Sequence, residues 1–379
     1  MKTIPDELKS DIEDAATAGL LGNLPAAVAE KDQHITDALN ALAQIQVSHT
    51  AHQQHRRRGD PKPAAVTLRA RLIFAGGTCL SKAHGLIERM SEDIDIKVML
   101  EDVPQGYALP KGHTHRARLG DLHRKVEDCL AAMGFEYFTH EDEENPVSRD
   151  SRRYYCLLVS YNAHFQDVSG VLRPQLKLEL IHRPPILAPE MREMGYMLDQ
   201  FIPRPAPHRF SMTCITVAET LAEKVLSLLR RCAWNWDGHQ RGGFDTALVR
   251  HVYDVWRITE RQPEAIAPAR EIFAALVQKD AQEFKGQHPE FDRAPYGVLR
   301  RTLAYAATHP GLMANFEQRL KPLLYTADKP DFQRCYSAFA AVAEQLLDHA
   351  PGQTVARSVE HLIDGLNKPM PQTAELHNP

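Results

Sequence analysis

Apolar residues recur at three- and four-residue steps near the N-terminus of the chain, as at Ile35, Leu39 and Leu42. This spacing puts them on one face of a helix, so the segment from about residue 6 to 45 is predicted to form two or three helices. The polar stretch 48–63 ends in Gly and Pro residues and is predicted to be a linker. Its three histidines are expected to be solvated.

The middle of the chain alternates between strand-like and helix-like patterns. Apolar runs and strict alternation predict strands, whereas three- and four-residue periodicity predicts helices. In chain order the predicted elements are a strand at 72–74, a helix-compatible stretch from the glycines at 76–77 to about residue 89, a strand at 94–98, a helix at 116–133, and strands at 154–161 and 175–181. Together they predict a small mixed sheet with helices packed on it.

From residue 216 onwards the pattern is helical. Breaks rich in Gly, Pro and Asp separate the periodic segments. Helices are predicted near 216–232, 245–259, 264–278, 294–308, 330–349 and 355–366. The predicted fold class is therefore α/β (α+β), with N-terminal helices and a linker over 1–60, an α/β core over 61–200 and a helical C-terminal domain over 201–379.

Composition limits the classes of protein to consider. The 379 residues are 43% hydrophobic, enough for one substantial core and a further domain or layer. No run approaches the roughly 18–20 apolar residues of a membrane span, and the N-terminal sequence lacks the apolar region of a signal peptide, so a cytoplasmic location is expected. The net charge of -4 permits a nucleic-acid partner without indicating one.

The six cysteines are scattered singly along the chain. They form no CxxC pair and have no zinc-like spacing to histidine. Neither a disulfide framework nor a structural metal site is suggested, and reduced, mostly buried thiols are expected.

Asp93 and Asp95 lie two positions apart on a predicted strand. Both carboxylates therefore point to one side, while Ile94 points into the core. Carboxylates held this close repel each other unless a cation neutralises them, and hard oxygen ligands favour Mg²⁺. Taken alone, the pattern also fits a solvated strand edge.

Gly76, Gly77 and Thr78 stand between a predicted strand and a predicted helix, upstream of the aspartates. Glycines let a backbone approach a phosphate, and a helix start offers NH groups, although an ordinary turn has the same composition. Glu179 shares one face of a later strand with Lys177. Beside the aspartates it would complete a three-carboxylate site for nucleotidyl transfer; the alternative is an exposed strand face.

The predicted downstream helices carry further polar candidates. Lys224 and Arg231 are seven residues apart and share a helix face, where a lysine could neutralise phosphate charge. Arg250 and Asp254 are four apart and could instead form an intrahelical ion pair. The loop 234–243 concentrates aromatic residues that could stack on a base or anchor the loop to the core.

In combination these segments resemble the AbiEii/AbiGii family of toxin nucleotidyltransferases. The first motif is carried by 74–81 and 88–96, the later motifs by 177–179, 223–224 and 250–254, and an N-terminal helix by 30–32 with its following apolar residues. The resemblance implies a DNA-polymerase-β-like nucleotidyltransferase fold, an NTP donor and Mg²⁺. Where the family often has Arg-Asp, this chain has Arg250 and His251, so the role of the second position stays open.

The residue patterns and the resemblance together select a set of site residues. The expected catalytic residues are Asp93, Asp95, Glu179, Lys224 and Asp254, of which the first three are the expected metal ligands. The expected nucleotide-binding residues are Gly76, Gly77, Thr78, Arg89, Ser91, Lys224 and Arg231.

The resemblance also implies a biological role. Such proteins are typically toxins of toxin-antitoxin or phage-abortive systems, and some members modify tRNA ends. The leading hypothesis is Mg²⁺-dependent transfer of a nucleoside monophosphate from NTP to an acceptor hydroxyl on RNA, with a cognate antitoxin among the implied partners. The alternatives are a nucleotidyltransferase acting on a small molecule, as antibiotic-modifying enzymes do, and a non-catalytic nucleotide-binding protein.

Overall fold

The computed structural model describes residues 1–54, 64–137, 146–167, 172–202, 207–240, 243–326 and 328–348. The chain divides into two compact units, Met1–Thr216 and Val217–Pro379. The helix predicted at 355–366 and most of the predicted linker lie outside the described residues.

The described residues contain both helices and strands. The helices are α1 Asp6–Thr17, α2 Ala26–Ala43, α3 Gly76–Lys82, α4 His115–Ala132, α5 Val217–Trp236, α6 Arg250–Arg261, α7 Ile266–Glu283, α8 Pro289–Arg293, α9 Pro295–Ala306, α10 Pro310–Asn315 and α11 Phe332–Asp348. The strands are β1 Val47–Gln53, β2 Ala65–Ala75, β3 Asp93–Leu100, β4 Tyr107–Ala108, β5 Val147–Arg149, β6 Tyr154–Val159, β7 Leu176–Ile181, β8 Glu190–Gly195 and β9 Arg209–Cys214.

The described strands of the N-terminal unit form one sheet. Its order is β4-β1-β2-β3-β7-β6-β5, and β9 pairs with both β2 and β8. At the centre, β3 is antiparallel to β2 and parallel to β7. The sheet is therefore mixed, helices flank it in the sequence, and the predicted α/β fold class with a helical C-terminal region is confirmed.

One strand lies where a linker was predicted. Strand β1 pairs antiparallel with β2, so the prediction for 48–63 is wrong over its first six residues. Within β1, His49 and Ala51 are buried while their neighbours are exposed or partly exposed. Only every second residue of a strand needs to be buried, so a strand can have a mostly polar sequence. The polar composition of this stretch therefore did not indicate a strand.

The histidines of this stretch have different environments. His49 was expected to be solvated, but it is buried, and its Nε2 lies 2.9 Å from Asp121 Oδ2. His52 is exposed, in agreement with the expectation, and His55 lies outside the described residues. The difference arises because His49 and His52 point to opposite faces of the sheet.

Helix α3 is shorter than the predicted stretch, which extended to about Arg89. The chain turns at Gly85, whose φ of +63° is a conformation that favours glycine. The Leu86 N–H then donates to the Leu80 carbonyl at 2.9 Å. The residues up to β3 therefore form a loop that returns along α3.

The C-terminal unit is helical in its described part. Helix α5 packs against α6, α7 and α9, and α11 packs against α6, α7 and α9. Two buried ion pairs lie among these helices: Lys224 Nζ is 2.7 Å from Asp254 Oδ2, and Arg230 Nε is 2.5 Å from Asp280 Oδ2. None of the described helices is both long enough and apolar enough to span a membrane.

The aromatic residues assigned to the loop 234–243 belong partly to a helix. Trp234 and Trp236 form the end of α5. Trp236 is 5% exposed and stacks on the His309 ring, with centroids 4.4 Å apart. Trp236 is therefore a core side chain, in keeping with the anchoring alternative. The six cysteines are unpaired thiols, and five of them are buried.

Candidate active site

Three carboxylates come together on two neighbouring strands of the N-terminal unit. The parallel pairing of β3 with β7 sets Asp95 opposite Glu179 and Asp93 opposite Lys177. Paired residues on adjacent strands share a face, and the strands lie about 4.8 Å apart. All three carboxylates therefore share one face of the sheet, while the intervening Ile94 is buried.

Cationic and hydroxyl side chains contact two of these carboxylates. Arg173 Nη1 donates to Asp93 Oδ1 at 2.7 Å, and Lys177 Nζ lies 3.0 Å from Glu179 Oε2. The Tyr154 hydroxyl donates to the other Glu179 oxygen, Oε1, at 2.6 Å. Both oxygens of Glu179 are thus engaged, which fixes its orientation.

The pKa values of these partners reflect the concentration of negative charge. Burial disfavours the charged form of Arg173 and Lys177, yet the pKa of each is raised, because the nearby carboxylates, Asp93 and Glu179 among them, outweigh burial. Burial, and then the hydrogen bond to Glu179, raise the pKa of Tyr154 well above its usual value. Tyr154 therefore remains a hydrogen-bond donor at neutral pH.

A second layer of charge lies behind Arg173. Lys31 of α2 is fully buried, and its Nζ donates to Glu92 Oε2 at 2.6 Å and also to the Arg173 carbonyl. The Arg173 N–H donates to the same Glu92 oxygen at 2.8 Å. Burial lowers the pKa of Lys31, and the Glu92 charge opposes this effect. Lys31 and Glu92 thereby fix the backbone of the residue that contacts Asp93.

The two glycines of the first motif make room for side chains of the site. Gly76 has a φ of +76°, and a Cβ built on it would lie 1.9 Å from Asp95 Oδ2. A Cβ on Gly77 would lie 2.6 Å from an Arg89 guanidinium nitrogen and 2.9 Å from Ser91 Oγ. Here the glycines permit close approach of protein side chains, a requirement separate from the expected approach of phosphate.

Thr78, Arg89 and Ser91 connect α3 to the start of β3. The Thr78 hydroxyl contacts Ser91 Oγ at 3.0 Å and donates to the Asp93 carbonyl. Arg89 is buried, and its Nη1 donates to the Met90 carbonyl at 3.0 Å. These contacts fix the backbone from which both aspartates project.

The remaining predicted site residues belong to the C-terminal unit. Lys224 and Asp254 form the buried pair between α5 and α6 described above. Asp254 therefore contacts a lysine of another helix. Arg231 Nη2 lies 2.7 Å from Asp245 Oδ2 in a partly exposed pair.

Sequence reasoning missed four residues that support the carboxylates. These are Lys31, Glu92, Tyr154 and Arg173. For two of them the sequence contains an indication, because Glu92 directly precedes Asp93, and Lys31 lies in a run of three charged residues inside a helix whose other residues are mostly apolar. For Tyr154 and Arg173 we find no such local indication.

Comparison with known proteins identifies the family. A family model described as "Nucleotidyl transferase AbiEii toxin, Type IV TA system" matches residues 64–338. Among solved structures, the chain is similar to MenT4, a nucleotidyltransferase toxin from Mycobacterium tuberculosis H37Rv, with 17% identity, coverage of 90% of this chain and 92% of that chain, and a TM-score of 0.46. No curated protein matches the sequence. Because the family model covers well over half of its length, the chain belongs to the AbiEii nucleotidyltransferase toxins of type IV toxin-antitoxin systems.

Proposed function

We propose that this toxin transfers a nucleoside monophosphate from NTP to an acceptor hydroxyl on RNA, such as tRNA, in a Mg²⁺-dependent reaction that releases pyrophosphate. The observation that carries the proposal is the shared face of Asp93, Asp95 and Glu179, with Asp95 and Glu179 directly opposed on paired strands. Membership of a type IV toxin-antitoxin family implies a nucleotide substrate and a cognate antitoxin.

The three carboxylates fit a magnesium ion. Their oxygens are hard ligands, and Mg²⁺ in proteins commonly binds one or two carboxylates together with water and substrate phosphates. Arg173 and Lys177 contact Asp93 and Glu179, which supports this fit because the carboxylates already attract positively charged groups. Bound Mg²⁺ would neutralise charge on the triphosphate and on the leaving pyrophosphate.

The side chains around the carboxylates position the reacting groups. Tyr154 and Lys177 hold Glu179 through its two oxygens, so the carboxylate has a fixed orientation. The acceptor hydroxyl gives its proton to an oxygen of one of the three carboxylates. The hydroxyl oxygen then bonds to the α-phosphorus of the NTP. The bond from the α-phosphorus to the bridging oxygen breaks, and pyrophosphate leaves with that electron pair.

The other predicted residues complete the proposal. We assign nucleotide contacts to Gly76, Gly77, Thr78, Arg89, Ser91, Lys224 and Arg231, and an essential polar role to Asp254. The family resemblance supports these roles. The ion pair with Asp254 also supports the role of Lys224, because it holds the Lys224 ammonium group in one position.

The test is a labelling assay that separates acceptors by size. Purified protein is incubated with Mg²⁺, each α-labelled NTP in turn, and either total cellular RNA or a metabolite pool. We expect label on a tRNA-sized band that is lost with EDTA and with a folded Asp93→Ala variant. The exposed Asp128 of α4 provides the matched control, because Asp128→Asn removes a carboxylate elsewhere and should retain full labelling.

Each alternative has its own outcome in this assay. Label only on small products would establish a small-molecule nucleotidyltransferase. NTP binding without pyrophosphate release would establish a binding protein. Full labelling by folded Asp93→Ala and Asp95→Ala variants would contradict the catalytic role of the carboxylates.

We expect Gly76→Ala to lower labelling activity by about 100-fold, because the added Cβ displaces the Asp95 carboxylate and a misplacement of about 1 Å costs this much in a positioned site. Gly85→Ala is the matched control. Gly85 also has a positive φ, +63°, but has no atom within 4 Å of its built Cβ. Both variants bear the cost of left-handed backbone, about 1–2 kcal/mol, and Gly76→Ala adds the clash with Asp95, so both should lower the thermal midpoint while only Gly76→Ala loses activity. Equal activity in the two variants would contradict the prediction.

A further inference from the structure

Two pairs of residues whose side chains commonly bind metal ions come together in the C-terminal unit. Asp237 and His239 follow the end of α5, and His288 and Glu290 stand at the start of α8. In the folded unit, the ligand atoms of His239, His288 and Glu290 all lie within 4.8 Å of one another. The sequence had suggested no structural metal site, because the two pairs are far apart along the chain.

The distances within this cluster are close to those of a tetrahedral metal site. Zinc binds imidazole nitrogen and carboxylate oxygen at about 2.0–2.2 Å, which places neighbouring ligand atoms about 3.3–3.6 Å apart. His239 Nε2 lies 3.1 Å and His288 Nε2 lies 3.6 Å from the same atom, Glu290 Oε2. The same carboxylate oxygen thus lies within 3.6 Å of both imidazole nitrogens.

The buried member of the cluster is His288, whose side chain is 5% exposed. Its Nδ1 has no hydrogen-bond partner within the described part of the chain. Its Nε2 faces two carboxylates, with Asp237 Oδ2 at 2.9 Å and Glu290 Oε2 at 3.6 Å. The ring is therefore held by the nitrogen that points into the cluster.

Two arginines contact the carboxylates of this region. Arg301 Nη2 lies 2.5 Å from Asp237 Oδ2, and Arg293 Nη2 lies 4.0 Å from Glu290 Oε1. The oxygen of Glu290 that faces the two imidazoles is Oε2, whereas Arg293 contacts Oε1.

We propose that His239, His288 and Glu290 form a binding site for a zinc-class divalent transition-metal ion. Imidazole ligands suit zinc, nickel, cobalt and copper, whereas Mg²⁺ prefers oxygen ligands only. The site would tie the segment after α5 to the start of α8. The partial exposure of His239 and Glu290 leaves a fourth position open to water or to the neighbouring Asp237.

The test is a direct zinc titration of the full-length, untagged chain. The protein is stripped with a chelator, dialysed, and titrated with Zn²⁺ in excess Mg²⁺, which occupies oxygen-only sites, and bound zinc is counted by atomic emission. We expect one tightly bound equivalent and a rise in the thermal midpoint. His239→Ala and Glu290→Gln should each weaken zinc binding by more than the roughly 10–100-fold that loss of an outer-shell partner costs.

Two features of the chain make the test decisive. The test does not need His288→Ala, since His239 and Glu290 are partly exposed and their variants should fold. His115 and His182, whose Nε2 atoms are 3.1 Å apart, form another pair of adjacent imidazoles. The double variant His115→Ala/His182→Ala should keep the bound zinc. Loss of zinc from this control, no tight equivalent in the wild type, or unchanged affinity in His239→Ala and Glu290→Gln would overturn the proposal.

Discussion

Asp95→Asn should lower the rate of nucleotidyl transfer by about 1,000-fold or more, with little change in fold. Asn keeps the shape that fits against Gly76 but removes the charge. A factor of 1,000 corresponds to about 4 kcal/mol, within the several kcal/mol that metal-assisted charge stabilisation supplies. Asp95 should be the most sensitive of the three carboxylates, because it lies between Ala75 of β2 and Glu179 of β7.

The thermal stability of the same variant distinguishes a catalytic from a structural role. Like charges held close together destabilise the folded state, so removing one of three carboxylates should leave the thermal midpoint unchanged or raise it. The measurement is the labelling rate with the preferred NTP beside a thermal melt, with Asp128→Asn as the control. A rate within tenfold of wild type, or a rate lost together with the fold, would contradict the prediction.

Local patterns predicted the parts of the site that depend on local geometry. The two-residue period of 94–98 and 175–181 predicts two strands and places Asp93 with Asp95, and Lys177 with Glu179, on one face of each. The pairing of Asp95 with Glu179 joins positions more than eighty residues apart. It depends on which strands become neighbours and in which register, and the strand pattern alone does not determine either.

The residues that sequence reasoning missed are those whose roles arise from tertiary contacts. Arg173 reaches Asp93 because the segment before β7 runs beside β3. Lys31 reaches Glu92 from a helix, although the two residues are 61 positions apart in the sequence. Strand β1 was missed for a related reason, since its mostly polar residues form a strand through pairing with β2. The family resemblance supplied the motif residues 30–32, but not the contact that Lys31 makes.

Lys31→Met should destabilise the N-terminal unit by about 3–5 kcal/mol, the usual result of leaving one member of a buried ion pair without its partner. The Lys31 side chain is fully buried, and that of Glu92 is 8% exposed, so water cannot replace the lost ammonium. The change also removes the hydrogen bond to the Arg173 carbonyl. The double variant Lys31→Met/Glu92→Leu replaces both residues with apolar side chains. Its loss of unfolding free energy should be smaller than the sum of the losses in the two single variants by roughly 0.5–3 kcal/mol.

The measurement must report the N-terminal unit, and the three tryptophans, at 234, 236 and 256, all lie in the other unit. Urea unfolding is therefore best followed by hydrogen exchange of peptides that cover α2 and β3. Lys9→Met is the matched control, because Lys9 forms an ion pair of the same 2.6 Å length with Asp6, whose side chain is 96% exposed. An exposed pair contributes little to stability, so protection should fall sharply in Lys31→Met and hardly at all in Lys9→Met. Equal losses in the two variants would show that burial does not set the strength of the Lys31 pair.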